Sequence, residues 1–150
     1  MSNFTGRYTV SVDGKGRIAI PAKLRAIAAQ QGSEKFIVRI GFDGCLDLYS
    51  EAEYKRVSEQ MTSKQPIDAR KARFLKRYIH PNSAEGVPDT QGRIAIPRHL
   101  LDSARITDKV LILGVGEKIE LWNEDQFNTY QQSFDMSAEE VVENLFGLGS

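Results

Sequence analysis

Apolar and polar residues alternate along Tyr8-Thr9-Val10-Ser11-Val12, the pattern of a strand with one buried face. Asp13-Gly14 then signals a tight turn, and Ile18 and Ile20 alternate with Arg17 and Ala19 in a second short strand. Pro21 follows, a residue suited to the start of a helix because its missing N–H is not needed there. Leu24, Ile27 and Ala28 share the next helical face, and Gly32 supplies a stop. Phe36–Ile40 and Cys45–Tyr49 read as two further strands joined by a Gly41–Gly44 turn. Ser50 and Glu53 form a capping box for a helix running to about Thr62.

The same order of elements then returns. The block from Asp13 to Arg25 recurs from Asp89 to Leu101 with eight of thirteen positions identical, which sets Arg17 and Arg93 76 residues apart. Leu46-Asp47-Leu48-Tyr49-Ser50-Glu51 is matched by Ile119-Glu120-Leu121-Trp122-Asn123-Glu124 at an offset of 73. Two long copies suit a pseudo-two-fold pair sharing one core better than a repeat array. The second copy predicts a strand over Arg93–Ile96, a helix opened by Pro97, and strands over Val110–Val115 and Lys118–Trp122. Asn123 and Gln126 cap the next helix. Ser137 and Glu140 cap a last one, whose apolar face is Ala138, Val141, Val142, Leu145 and Phe146 and whose stop is Gly147. The chain thus divides into a first repeat (1–63), a basic linker helix (64–80), a second repeat (81–136) and a C-terminal amphipathic helix (137–150), in an α+β fold.

Composition narrows the function. A chain of 150 residues, 41% apolar and 27% charged, has about one domain's worth of core. The net charge of zero hides an asymmetry: Met1 to His80 carries fifteen Lys and Arg against eight Asp and Glu, and Pro81 to Ser150 carries five against twelve. Such a split points to nucleic-acid contact or to head-to-tail electrostatic pairing. No run approaches the roughly 18 apolar residues of a membrane helix, and the N-terminus lacks the apolar segment of an export signal, so the expected compartment is the cytoplasm. Cys45 is the sole cysteine, which removes a disulfide framework and any multi-cysteine zinc site, and His80 and His99 are the only histidines. Neither block contains a histidine between its aspartate and its proline, Cys45 has no base beside it in sequence, and no Walker phosphate loop is present. No enzyme, cofactor or metal is expected.

The repeated Asp-x-x-Gly-Arg-Ile-x-Ile-Pro block resembles the swapped-hairpin, AbrB-like half-domain. Two copies in one chain of this length resemble the MraZ family of bacterial transcriptional regulators. Phe4-x-Gly6-x-Tyr8, Ala72-Arg73-Phe74, Gly114-Val115-Gly116 and Ile119-Glu120-Leu121-Trp122 carry the likeness further, over roughly residues 4 to 130. The resemblance implies two intertwined half-barrels related by a pseudo-two-fold. It also implies sequence-specific binding of double-stranded DNA at repeated promoter boxes, repression of the chain's own division and cell-wall gene cluster, a homo-oligomeric ring, and association with the nucleoid. An antitoxin-like module that neutralises a partner protein is the alternative, since such hairpins occur there too.

In the residues themselves, Gly16 and Gly92 are kept in both copies whereas Gly14 becomes Thr90, which marks a backbone position that disfavours a side chain. Asp13 and Asp89 precede the turn and are placed to orient the arginine four residues on. Arg17 and Arg93 would then present fixed guanidinium forks, the shape that fits a phosphate or the O6/N7 edge of guanine. Lys15 and Gln91 flank them as unequal counterparts, and Lys23 and Arg25 stand opposite His99 and Leu101, so the first hairpin is expected to bind the more strongly. Between the copies, Arg70, Arg73 and Arg77 share one helical face. That face is either a phosphate-tracking surface or one that pairs with the acidic second copy of the same or a neighbouring chain.

Overall fold

The computed structural model describes residues 3–64 and 67–147; the outermost positions of the predicted segments 1–63 and 137–150, and two positions of 64–80, lie outside the described residues. The first copy supplies strands β1 (Arg7–Ser11) and β2 (Arg17–Ala19), helix α1 (Ala22–Gln30), strands β3 (Phe36–Ile40) and β4 (Leu46–Ser50), and helix α2 (Glu51–Thr62). Helix α3 (Ala69–Ile79) and a 3-10 turn (His80–Asn82) lead to the second copy. This adds strands β5 (Ser83–Gly86) and β6 (Arg93–Ala95), helix α4 (Arg98–Ser103), strands β7 (Lys109–Gly114) and β8 (Ile119–Trp122), and helices α5 (Glu124–Ser133) and α6 (Ala138–Phe146).

All strand pairs are antiparallel. Six strands form one sheet in the order β1-β7-β8-β4-β3-β5, and β2 pairs with β6 in a separate ribbon. Exchanging each strand for its counterpart in the other copy reverses the order without changing it, so a pseudo-two-fold axis passes between β4 and β8. The edges are exchanged between copies. β1 pairs with β7, setting Tyr8 opposite Ile112, and β5 pairs with β3, setting Ala84 opposite Val38. The ribbon obeys the same axis, with Ile18 opposite Ile94. The two copies are therefore intertwined, and the fold is α+β.

Strand β5 is absent from the sequence expectation, and the reason is physical. Ser83-Ala84-Glu85-Gly86 has no apolar alternation, and its ladder comes from the partner β3. Gly86 is needed there, because a Cβ at this position would stand 3.1 Å from the side chain of Ile94. Pro21 and Pro97 also stand one residue earlier than the first helical position, capping α1 and α4 with ψ of 137° and 140°.

One face of the sheet, the ribbon, α1 and α4 enclose the main core. Phe4, Ile18, Leu24, Leu46, Leu48, Ile94, Leu100, Leu101, Ile112 and Leu121 are all buried in it. Each such side chain contributes about 1.5–3 kcal/mol on leaving water. Burying Ile18 and Ile94 face to face fixes the ribbon over this core, with Arg17 and Arg93 on the neighbouring positions of the alternation. On the other face of the sheet, Tyr49 packs edge-on against Tyr54 of α2 at 5.6 Å, and Trp122 against Phe127 of α5 at 5.1 Å. This aromatic clasp occurs once per copy and holds each helix to its own half of the sheet.

Candidate nucleic-acid interface

The two repeated blocks fold into two nearly identical tips. In the first, the Gly16 N–H donates to the Asp13 carbonyl at 3.0 Å, and the Asp13 N–H donates to the Arg17 carbonyl at 3.0 Å. The Asp13 carboxylate closes the loop from inside. Its Oδ1 accepts from the backbone N–H groups of Lys15 and Arg17, both at 2.9 Å, and its Oδ2 accepts from Arg17 Nε at 2.7 Å. The second tip repeats every bond. Asp89 Oδ1 accepts from the N–H groups of Gln91 and Arg93 at 2.9 Å, and Oδ2 accepts from Arg93 Nε at 2.9 Å. The backbone N–H of Arg17, with its side-chain bond and charge, holds the Asp13 carboxyl down at about 2. Asp89 is lowered in the same way, first by the N–H of Arg93.

Gly16 and Gly92 both adopt φ of +75°, the left-handed region that favours glycine. They also couple the tips. The Gly92 carbonyl accepts from the Ile20 N–H at 3.0 Å, and the Gly16 carbonyl accepts from the Ile96 N–H at 2.9 Å. The ribbon thus sets the two arginines on adjacent strands. Arg93 Nη1 lies 3.8 Å from Asp13 Oδ2 while Arg17 Nε is bonded to that same oxygen, so two guanidinium groups gather around one carboxylate. Both arginine side chains are about one-third open to solvent, at 31% and 29%.

Lys15 and Gln91 lie exposed on these tips, and Lys23 lies exposed on the first turn of α1. Arg25 is placed differently. It is half-buried, its Nε donates to the Ile20 carbonyl at 2.9 Å, and it lies over Gly92, where a Cβ would meet Arg25 Nε at 2.6 Å. Its counterpart Leu101 lies over Gly16, the Cδ1 3.4 Å from where a Cβ would be. Each helix therefore braces the opposite tip, with a cation in one copy and an alkyl group in the other. His80 and His99 are exposed.

A family model described as "MraZ protein, putative antitoxin-like" matches residues 3–78 and again 83–148. The chain belongs to the MraZ family. Its relatives include the transcriptional regulator MraZ of Caldanaerobacter subterraneus subsp. tengcongensis, 37% identical over 93% of this chain and 94% of the relative. The proteins of the same name from Alkaliphilus metalliredigens and Syntrophomonas wolfei subsp. wolfei are 35% and 36% identical over 97% of this chain and 99% of theirs.

This MraZ-family chain also holds two charged clusters that the motif does not include. Asp47 on β4 is buried and accepts from Lys118 Nζ at 2.9 Å, with Glu120 Oε2 3.8 Å from the same ammonium. Glu120 also accepts from the Trp122 indole at 2.9 Å. Burial pushes the Asp47 carboxyl up, against the pull of Lys118. Cys45, Asp47 and Glu120 bring their ligand atoms within 4.8 Å of one another, a spacing that could hold a cation. The chemistry fits an internal ion pair better: Lys118 already supplies the positive charge, and burial keeps the Cys45 thiol strongly in its neutral form. Sequence reading missed this cluster because its partners are 71 residues apart and meet only where β4 pairs with β8.

The second cluster is on α3. Asp68 caps the helix by accepting from the N–H groups of Arg70 and Lys71. Ile79 is buried, and Tyr78 stacks on Phe42 of the β3–β4 turn. Phe74, Tyr78, Arg70, Arg73 and Arg77 then line a groove of about 420 Å³. Among the described residues no carboxylate lies in ion-pair range of these three arginines. Pairing with the acidic second copy within one chain is therefore not what α3 does here.

Proposed function

We propose that this chain is a sequence-specific DNA-binding transcriptional regulator that reads double-stranded DNA with the tips of its β2–β6 ribbon. Relatives along nearly its whole length carry the name transcriptional regulator. The observation that carries the reading is the paired Asp–Arg clamp. In each, the carboxylate holds Nε and so fixes the plane of the guanidinium, whose terminal nitrogens make no hydrogen bond among the described residues, Arg93 Nη1 standing 3.8 Å from Asp13 Oδ2. Preorganised forks lose little side-chain entropy on meeting a phosphate or a guanine edge, and a two-stranded ribbon is an element the major groove admits.

Asp13 and Asp89 act by orienting, since a carboxylate is repelled by phosphate. Gly16 and Gly92 shape the tips. Lys15 and Lys23 add phosphate-neutralising charge to the first tip, where the second offers Gln91 and His99. Arg25 contributes by bracing the second tip rather than by reaching DNA. The chain works as a homo-oligomer, so that several ribbons meet repeated boxes at once and the affinity of each multiplies through effective concentration. A regulator of this kind acts on the nucleoid.

The test is binding of the full chain to duplex DNA from upstream of its own gene and to a scrambled duplex, at one fixed salt concentration. Arg17→Ala and Arg93→Ala should each lose specific affinity, by about 1–3 kcal/mol per bidentate contact, and keep the wild-type fold. Arg17→Lys should lose discrimination more than total affinity, because it keeps the charge and gives up the fork. Wild-type affinity in the Arg17→Ala, Arg93→Ala double variant would end the assignment of the ribbon as the reader.

A further inference from the structure

The repeated block holds eight identical pairs of residues, and seven of them have a role within the chain. Asp13 and Asp89 close the tips, and Arg17 and Arg93 complete the clamps. Gly16 and Gly92 supply the positive φ. Ile18, Ile20 and Leu24, with Ile94, Ile96 and Leu100, are core, and Pro21 and Pro97 cap the helices. The eighth pair is Ala19 and Ala95. Both are exposed, on the strand positions that follow Ile18 and Ile94. Strands disfavour alanine, and an outward position on an exposed ribbon sets no limit on size from within. A small side chain kept at both positions therefore answers to something outside the chain.

The register shows what surrounds each alanine. Arg17 lies opposite Ala95, and Ala19 lies opposite Arg93. Side chains alternate along a strand, so these four residues share the outward face while Ile18 and Ile94 share the inward one. Each alanine has one clamped arginine directly across the ribbon, with Cβ atoms about 4.5–5.5 Å apart, and the other two residues along its own strand. The outward face is a checkerboard of two guanidinium forks and two methyl groups.

Methyl groups offer nothing to a phosphate, which needs charge or an N–H. The base edges of a major groove match both kinds of square. Guanine O6 and N7 accept from an arginine fork, and the thymine C5-methyl makes apolar contact with an alanine. Successive base pairs stand about 3.4 Å apart along a strand, so an arginine and the alanine opposite it reach neighbouring base pairs. A longer side chain at either alanine would hold the ribbon off the groove floor and draw the forks back from the guanine edge.

We propose that Ala19 and Ala95 are specificity-determining residues, their methyl groups meeting thymine C5-methyl groups beside the guanines that Arg93 and Arg17 read. The contact rests on the ribbon being the DNA reader and adds thymine to the bases that the ribbon selects.

The test uses the full chain and the duplex from upstream of its own gene, made once with thymidine and once with deoxyuridine, which lacks only the C5-methyl. Wild type should bind the thymidine form more tightly, by about fourfold for each methyl buried. This comparison needs no variant to fold. Ala19→Gly with Ala95→Gly should abolish the preference for thymidine. Ala19→Val with Ala95→Val keeps the ribbon, since valine favours strands, and its circular dichroism should match wild type. It should nonetheless lower the preference for the own duplex over a scrambled one by roughly tenfold or more, as the forks lose the guanine edge. A wild type that prefers its own duplex but binds the deoxyuridine form equally well refutes the alanine contact and leaves the arginines as readers. A glycine variant that keeps the wild-type preference for thymidine refutes it too, because another group then senses the methyl. So does a folded valine variant that keeps full discrimination. A wild type with no preference for its own duplex over the scrambled one refutes the contact and the assignment of the ribbon together.

Discussion

Substituting Gly92 by alanine should expose the brace between the copies. Two costs arise at once. The backbone sits at φ of +75°, which costs an L-residue roughly 1–2 kcal/mol. The new methyl would also stand 2.6 Å from Arg25 Nε and 2.7 Å from Cζ, so the guanidinium must leave the Ile20 carbonyl it now donates to at 2.9 Å. A hydrogen bond from a charged group is worth about 1.5–3 kcal/mol. Gly92→Ala should therefore lose about 2.5–5 kcal/mol, the sum of these two contributions. Arg25→Leu copies the arrangement at the first tip, where a Cβ on Gly16 would stand 3.4 Å from Leu101 Cδ1, an ordinary contact distance. In that background Gly92→Ala meets no guanidinium and should cost only the backbone strain, roughly 1–2 kcal/mol. Urea unfolding followed by circular dichroism gives the four stabilities of this cycle. Equal costs of Gly92→Ala with and without Arg25 would show that the arginine does not brace the tip.

Two other perturbations test the charged clusters. Lys118→Met leaves the Asp47 carboxylate buried and unpaired, with an expected loss of about 3–5 kcal/mol; Lys118→Met with Asp47→Leu should recover most of it, as read by chemical unfolding. Because Asp13 is lowered from 3.8 to about 2 in the folded chain, and Asp89 is lowered too, their stabilising bonds are fully present above pH 3.8. That contribution is lost as pH falls from 3.8 towards 2, so the urea midpoint should drop over this window and drop less in an Asp13→Asn, Asp89→Asn chain.

Most of the secondary structure was legible because alternation and capping are local. Ser137 and Asn123 cap the helices that their spacing predicts, and Gly32 ends α1 with φ of +77°. The tip geometry was legible as well, since Asp13 and Arg17 are close in sequence and the repeat shows which positions the turn requires. What the sequence hid is tertiary. Ser83–Gly86 is a strand only because β3 offers it a ladder. Arg25 reads as one more surface cation until the structure sets it over the other copy's glycine. Lys118 and Asp47 read as ordinary strand polars until β8 lies against β4.

Exchange of the edge strands has a consequence for how the chain is made. Arg7 pairs with Leu113, so β1 leaves the ribosome 106 residues before the strand that completes it. At about 5–20 residues per second, the first copy waits on the order of 5–20 s with Tyr8 and Val10 unpaired. Until β7 follows, β1 has no ladder, and an unpaired strand edge is a template for the wrong neighbour. A pause in translation between the copies would lengthen the period in which two such unpaired halves can pair with each other instead.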